Sequence, residues 1–116
     1  MTGSDTTTDI STLHKNVSLH ATIGIDGSFT NVDIGWSTIL GWQRMDLLAK
    51  PFIERVHPDD LDIVITQLYA LHSNGKEVTF YCRYRQRNGT YMRFNWHAYL
   101  HTNLLDIRLM GQPALS

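Results

Sequence analysis

The sequence predicts an α+β fold in which a five-stranded antiparallel sheet carries short helices on one face. Segments with strand patterns and segments with helix patterns are segregated along the chain. Two strands come first, several short helices follow, and three strands complete the order. The last three strands follow one another through short connections, which favours antiparallel pairing. Because the helices can cover only one face of the sheet, the other face is predicted to be exposed.

The first two strands form a predicted hairpin. Residues 18–25 alternate between apolar and polar side chains, as a half-buried strand does. Asp26-Gly27 predicts a two-residue hairpin turn, and residues 29–32 form the returning strand. The apolar side chains that are predicted to share the buried face of the first strand are Leu19, Ala21, Ile23 and Ile25.

Three helices are predicted between this hairpin and the last strands. Asp33 caps the first helix, which ends at Gly41, and residues 43–50 form a second short helix that ends before Pro51. The longest helix spans residues 59–73, where acidic side chains in the first turn suit the positive end of the helix dipole. Its apolar stripe consists of Leu61, Val64, Ile65, Leu68 and Leu71.

The last three strands are predicted at residues 77–87, 91–101 and 104–110. Asn88-Gly89 provides the turn between the first two of them. The opposite, exposed face is rich in tyrosine and arginine, as protein interfaces often are. The side chains predicted to face the helices are Val78, Phe80, Cys82, Tyr84, Met92, Phe94, Trp96, Ala98 and Leu100.

Composition restricts the function classes. Ten Lys and Arg residues against eleven Asp and Glu residues give a formal charge of −1, which argues against a nucleic-acid-binding protein. The single cysteine, Cys82, cannot form an internal disulfide, so we expect a cytoplasmic protein. No apolar run approaches the roughly 20 residues that cross a bilayer, so direct membrane insertion is not expected. We expect a flexible leader or an N-terminal cap at residues 1–17, one domain at residues 18–111 and a tail at residues 112–116.

Three segments carry a family resemblance. They are DGSFTNVDIGWSTILGW at residues 26–42, PFIERVHPDD at residues 51–60 and FYCRYRQRNGTYMRF at residues 80–94. In this order and at this spacing, they resemble the PAS (Per-Arnt-Sim) family, in particular the type with an HPDD motif before the long helix. Arg93 stands where many members have tryptophan. The resemblance implies a sensory or interaction module that is not an enzyme, with its first strand between the second and the last.

The resemblance also raises the question of a cofactor. In light-sensing flavin members a reactive cysteine lies before the long helix, where residues 49–58 contain none, and Cys82 lies on a strand instead. In haem-binding members the histidine would fall near Val64, in a stretch without histidine. We therefore expect neither covalent flavin nor b-type haem. The cofactor stays unknown, and non-covalent flavin or a small apolar ligand is left open.

Neither a metal site nor a catalytic site is predicted from the histidines and acidic residues. His97 and His101 are four residues apart on one strand, so their Cα atoms lie about 13 Å apart, too far to share one metal ion. His57 belongs to the HPDD motif and is expected to order that turn by hydrogen bonding. No nucleophile–base pair, phosphate loop or carboxylate pair has a recognisable context, so no catalytic residue is predicted.

Three functions follow, in order of preference. The first is a sensory signal-transduction module, as in two-component regulation. Such a module binds a small ligand or a partner and passes the signal through its sheet face to an effector domain or a separate signalling protein. The second is a ligand-free dimerisation module. The third is a small α+β isomerase-like enzyme, which would need an acid or a base that faces inward.

Two sets of residues are predicted to carry the function. A ligand pocket between the helices and the inner sheet face would be lined by Trp36, Leu40, Phe52, Val64, Leu68, Phe80, Tyr84, Phe94 and Trp96. The alternative is that the same side chains close the core completely. A homodimer interface on the exposed sheet face and the leader would include Tyr81, Arg83, Tyr91, Arg93 and Tyr99.

Overall fold

The computed structural model describes residues 18–74, 77–101 and 106–114 of the chain. The predicted leader at residues 1–17 lies outside the described residues. So do residues 104–105, where the last strand is expected to begin.

The described residues form one five-stranded sheet with helices on one of its faces. The elements are β1 (Leu19–Ile23), β2 (Phe29–Val32), α1 (Gly35–Leu40), α2 (Arg44–Leu48), α3 (Leu61–Asn74), β3 (Glu77–Arg85), β4 (Tyr91–Leu100) and β5 (Ile107–Pro113). The sheet order is β2-β1-β5-β4-β3, and every neighbouring pair is antiparallel. The predicted α+β fold class is confirmed, and so is the position of the first strand between the second and the last.

Both hairpins turn through three-residue loops rather than the predicted two-residue turns. In the first hairpin, the Gly27 amide donates to the Gly24 carbonyl and the Gly24 amide donates to the Ser28 carbonyl, both at 2.9 Å. The β3–β4 hairpin closes in the same way, with Gly89 at φ 96° where Gly27 has φ 86°. A two-residue type I′ turn needs positive φ at both residues, and only the glycine of each loop supplies it. Ile25 therefore belongs to the loop and is 57 % exposed, not buried as predicted.

The boundaries of the two short helices have local causes. The Asp33 carboxylate accepts a hydrogen bond from the Gly35 amide at 3.1 Å, which holds the start of α1. Gly41, at φ 85°, ends that helix in the left-handed conformation. Gln43 and Asp46 form a capping box at the start of α2. Gly41 ends α1 as predicted, but the N-cap position of α1 is Ile34, one residue after the predicted cap Asp33. α2 ends at Leu48, two residues before the predicted end.

The segment between α2 and α3 contains two 3₁₀ turns, Phe52–Arg55 and Pro58–Asp60. As a result, α3 begins at Leu61, two residues later than predicted. Ile65, which is predicted in the apolar stripe of this helix, is 46 % exposed, because the buried side of α3 carries Val64. Among the helices that the structure describes, none is long and apolar enough to cross a membrane.

The core lies between the helices and the inner face of the sheet. Side chains along β3 and β4 alternate between buried and exposed as predicted, so each strand has an inner and an outer face. β5 ends at Pro113, and the Ala114 amide donates to the Arg93 carbonyl at 2.9 Å. The sheet therefore extends beyond the predicted end of the domain at residue 111.

Candidate functional site

An aromatic cluster occupies the space between the helices and the inner face of the sheet. Five of the predicted pocket residues form it, each at most 1 % exposed: Trp36, Phe52, Tyr84, Phe94 and Trp96. Phe52 and Tyr84 stack with their ring centroids 5.1 Å apart. The Trp96 centroid lies 5.1 Å from that of Phe52 and 5.9 Å from that of Trp36. At such separations, aromatic rings are in contact.

Hydrogen bonds to the backbone fix two of these rings. The Trp36 Nε1 donates to the His20 carbonyl at 2.9 Å, and the Tyr84 hydroxyl donates to the Phe52 carbonyl at 2.7 Å. Burial raises the pKa of Tyr84 far above its ordinary value, so this hydroxyl stays protonated. Buried polar atoms that are paired in this way hold a ring in one orientation.

The other four predicted pocket residues belong to the same core. Leu40, Val64 and Phe80 are buried, and Leu68 is half-buried against them. The structure therefore brings all nine predicted pocket residues together. These side chains pack against one another in the core. A ligand pocket among them stays a prediction.

Arg55 is a buried charged residue that the sequence interpretation missed. It lies in the first 3₁₀ turn and is 5 % exposed. Its Nη2 donates to the Asp46 carbonyl at 2.9 Å, and its guanidinium carbon lies 4.2 Å from the centroid of the Trp42 ring. Within the described residues, its Nη1 has no hydrogen-bond partner and it forms no ion pair. Its sequence context, IERV, gives no signal of burial.

Cys82 is buried on the inner face of β3. Burial raises the pKa of its thiol to about 12, so the reactive thiolate is scarce near neutral pH. This environment is that of a small core residue, as the sequence predicts. In the part of the chain that the structure describes, no group of three or more His, Cys, Asp and Glu residues is placed to bind a metal ion.

The HPDD segment covers the outer edge of β3. The His57 amide donates to the Arg83 carbonyl at 2.9 Å, and the Asp60 carboxylate accepts from the Arg83 amide at 2.8 Å. The same carboxylate accepts from Nε and Nη2 of Arg83 at 2.9 and 2.8 Å. These bonds hold the pKa of Asp60 below its ordinary value and raise that of Arg83. His57 Nδ1 accepts from the Asp59 amide at 3.0 Å, which is the turn-ordering role predicted for it.

The outer face of the sheet carries the five predicted interface residues. Tyr81 and Tyr99 are each 42 % exposed, and Arg93 is exposed between them and the hairpin loop. Tyr91 is less free, because its ring lies 4.6 Å from an imidazole of the HPDD segment. Arg83 is held by a carboxylate of the same segment. Tyr91 is nevertheless 37 % exposed, so the predicted interface residues with neither an ion pair nor a contact to this segment are Tyr81, Arg93 and Tyr99.

A cavity of about 330 Å³ lies on this outer face, over β2, β1, β5 and β4. Its lining includes His20 of β1, Met110 of β5 and His97 of β4, and Met110 is the cross-strand partner of both histidines. His97 Nε2 is also in contact with the Glu77 carboxylate. These three residues form a row across the strands, which was not predicted from the sequence. Alternation indicates which face a side chain occupies, but not which residues of neighbouring strands lie opposite each other.

Comparisons with known proteins identify the fold. A family model described as the PAS fold matches residues 29–104. The PAS-B domain of Cycle from Drosophila melanogaster, solved with bound ethylene glycol, has a TM-score of 0.70 and 16 % identity, over 84 % of this chain and 99 % of that chain. The PAS domain of an HTR-like protein from Haloarcula marismortui has a TM-score of 0.71 and 19 % identity, over 96 % and 93 %.

A third similar structure is a domain of a sensory box sensor histidine kinase/response regulator from Geobacter sulfurreducens. It has a TM-score of 0.72 and 15 % identity, over 92 % of this chain and 93 % of that chain. No curated protein matches the chain. At these identities, the likeness to the solved structures is one of fold.

Proposed function

The chain belongs to the PAS fold family, and we propose that it is a sensory signalling module that binds a partner through the outer face of its sheet. The observation that carries the proposal is the chemistry of that face, which presents Tyr81, Arg93 and Tyr99 to solvent. Tyrosine and arginine are enriched among the residues that dominate binding free energies. Within residues 18–74, 77–101 and 106–114, the helices cover the inner face of the sheet and leave its outer face uncovered.

We propose a second copy of the chain as the partner, in a homodimer. A two-fold interface brings the same patch of two molecules together, so the patch must be complementary to itself. Tyr99 lies between Glu77 on β3 and Arg108 on β5, its cross-strand partners. A rotated second copy can therefore set acidic against basic side chains around a pair of tyrosine rings.

The same face is proposed to pass a signal onward to an effector domain or a separate signalling protein, in the cytoplasm. One structural neighbour is a domain of a sensor histidine kinase/response regulator, which supports a role in two-component regulation. The proposal assigns no catalytic step to this chain. The inner face is apolar, and the thiol that it carries, Cys82, stays protonated near neutral pH.

Analytical ultracentrifugation of the double variant Tyr81→Ser/Tyr99→Ser tests the homodimer. We expect the dimer to dissociate at least tenfold more readily, which corresponds to about 1.4 kcal/mol or more for two interface tyrosines. Tyr69→Ser is the matched control, because this tyrosine of α3 is 72 % exposed and lies away from the sheet face. A parent protein that sediments as a monomer at high concentration contradicts the homodimer.

A second candidate function, binding of a small ligand in the core, is favoured by Arg55. A buried guanidinium without an anionic partner is costly unless something supplies acceptors for its N–H groups. The orphaned Nη1 of Arg55 belongs to a guanidinium whose carbon lies 4.2 Å from the centroid of the Trp42 ring. We therefore propose that any core ligand is largely apolar or aromatic and carries a carboxylate or carbonyl that accepts from Arg55.

Native mass spectrometry and an absorbance spectrum of the purified protein test this candidate. We expect a bound small acid or carbonyl compound in the parent, and its loss in Arg55→Met. Arg93→Met is the control, because this arginine lies on the outer face. A parent protein that retains no small molecule, or an Arg55→Met variant that retains the same one, counts against a ligand held by Arg55.

A further inference from the structure

We propose that the outer face of the sheet binds one copper(I) ion through His20, Met110 and His97. The three side chains line one cavity of about 330 Å³ and come from three adjacent strands. Together they offer two imidazole nitrogens and one thioether sulfur. Thioether sulfur is a soft ligand that selects copper(I), and imidazole also binds copper. This inference does not depend on the proposed signalling function.

The register of the sheet brings the three donors together. Met110 is the direct cross-strand partner of His20 on one side and of His97 on the other. Cross-strand partners in an antiparallel sheet have Cα atoms about 4.5–5.5 Å apart, so the two histidine Cα atoms are about 10 Å apart with the methionine between them. All three side chains border the same cavity on the outer face. An ion above Met110 is therefore within reach of both imidazoles.

Glu77 provides the support that metal-binding histidines commonly have. Its carboxylate is in contact with Nε2 of His97, which leaves Nδ1 as the free ring nitrogen. Histidine ligands usually donate their other ring N–H to a carboxylate or carbonyl, and this fixes the tautomer and the orientation of the ring. Nδ1 of His97 is therefore the nitrogen that would bind the ion.

The charge around the cavity suits a singly charged ion. Asp33 and Arg108 also line it, and their charges offset each other. Neutral imidazole and thioether ligands can bind copper(I) without further anionic groups, whereas zinc sites usually include thiolate, carboxylate or a third imidazole. The described residues assemble no group of three His, Cys, Asp or Glu donors. Among the residues that line this cavity, the sulfur of Met110 is therefore the third donor beside the imidazoles of His20 and His97.

Competition between the purified full chain and a chromophoric copper(I) chelator under anaerobic, reducing conditions tests the site. We expect the parent to take one equivalent of copper(I) from the chelator. His20→Ala, His97→Ala and Met110→Leu should each bind it at least tenfold more weakly. Glu77→Gln should weaken binding by roughly tenfold, as second-sphere carboxylates do. The control is His72→Ala, which removes an exposed histidine of α3 and should bind as the parent does.

X-ray absorption of the copper(I) complex gives an independent readout. We expect nitrogen and sulfur scatterers in the parent and nitrogen alone in Met110→Leu, a substitution of similar volume that leaves the fold intact. A parent that takes no copper(I) from the chelator overturns the proposal. So does a Met110→Leu variant that keeps the parent affinity and the sulfur signal. Zinc(II) that displaces copper(I) from the parent at equal concentration overturns the choice of metal.

Discussion

The two faces of the β3–β4 hairpin both carry aromatic rings but use them differently. On the inner face, Tyr84 and Trp96 are at most 1 % exposed, and their ring centroids lie 5.7 Å apart. On the outer face, Tyr81 and Tyr99 are each 42 % exposed. The inner rings stabilise the fold by leaving water, whereas the outer rings keep apolar surface in water. Aromatic content alone therefore does not locate the core, and the exposed rings are those of the proposed binding surface.

The two faces also differ in their polar groups. The inner Tyr84 hydroxyl is bonded to a backbone carbonyl, which fixes its ring in place. The outer face carries like-charged arginines, Arg83 and Arg93, directly opposite each other. Substitutions on the inner face should therefore change the free energy of unfolding strongly, and substitutions on the outer face should change it little.

The largest effect is expected from Trp96→Ala. In a closed core this exchange should lower the free energy of unfolding by about 3–5 kcal/mol, because it removes a large buried side chain and leaves a cavity. Urea denaturation measures the loss, and Tyr99→Ala on the outer face of the same strand is the control, with a loss of about 1 kcal/mol or less. A small loss for Trp96→Ala, together with release of a bound molecule, would show that the ring lines a pocket.

The second prediction concerns the strand beside this ring. A Cβ atom at Gly111 would stand 2.5 Å from Cζ3 of Trp96, its cross-strand partner. Gly111→Ala should therefore lower the free energy of unfolding by about 1–3 kcal/mol through overpacking. In the double variant Gly111→Ala/Trp96→Leu, the added methyl group should cost less than it does alone, because the smaller side chain yields the space. Additive losses in the double variant would contradict this close approach.

The third prediction concerns the edge where the two faces meet. Asp60 has a depressed pKa in the folded state because of its bonds to Arg83, so its contribution to stability is present at neutral pH. This stabilising contribution is lost as the pH falls from the ordinary carboxyl pKa of the unfolded state through the lower pKa of the folded state. Asp60→Asn should lower the free energy of unfolding at pH 7 by about 1–2 kcal/mol.

The pH dependence distinguishes this ion pair from a general loss of packing. The difference between Asp60→Asn and the parent should shrink as the pH falls from 5 towards 2, because the parent then loses the same charge. Urea denaturation at several pH values measures it. Asp62→Asn is the control, since this exposed acid of the first turn of α3 makes no bond to Arg83. An Asp60→Asn difference that is constant with pH contradicts the ion-pair account.

Alternation and helix punctuation were sufficient to predict the five strands, the two faces of the sheet and most of the core, with Ile25 and Ile65 as exceptions. The order of the strands was predicted from the family resemblance. Trp96 and Tyr99 were assigned to opposite faces from their spacing alone, and their burial confirms it. Gly41 was sufficient to predict the end of α1, because a left-handed glycine ends a helix locally. The predicted cap, Asp33, lies one residue before the N-cap position, which Ile34 occupies without a side-chain cap, although the Asp33 carboxylate accepts from the Gly35 amide. Local chemistry therefore determines most of what a sequence can reveal about this chain.

The remainder depends on distant contacts. Arg55 is buried because α2 and the Trp42 ring fold over it, and nothing in its neighbours predicts that. Arg83 was predicted as a free interface residue, but the Asp60 carboxylate holds it from a segment that is remote in sequence. The row through Met110 likewise depends on register, which no local pattern determines. The two-residue turn predicted at Asp26-Gly27 was wrong, because it needs a positive φ at Asp26, and the residue type alone does not determine φ.

The smallest expected effect is a gain in stability on the outer face. Arg83 and Arg93 are directly opposite on β3 and β4, and like charges in that position are destabilising. Arg93→Thr removes the repulsion and should raise the free energy of unfolding by about 0.2–1 kcal/mol, at the lower end because Asp60 already offsets the charge of Arg83. Such a gain would mean that this face is not optimised for the stability of the monomer, as expected of a surface retained for binding.

The gain must be separated from the higher strand propensity of threonine. Arg108→Thr on β5 makes the same chemical change, but its cross-strand partners are Thr22 and Tyr99, so it relieves no direct like-charge pair. We therefore expect Arg93→Thr to gain more than Arg108→Thr in low salt. The excess should disappear in 1 M salt, where the screening length is about 3 Å. If both variants gain the same free energy of unfolding at low and high salt, the gain comes from the strand propensity of threonine. The charges on the outer face would then not destabilise the fold.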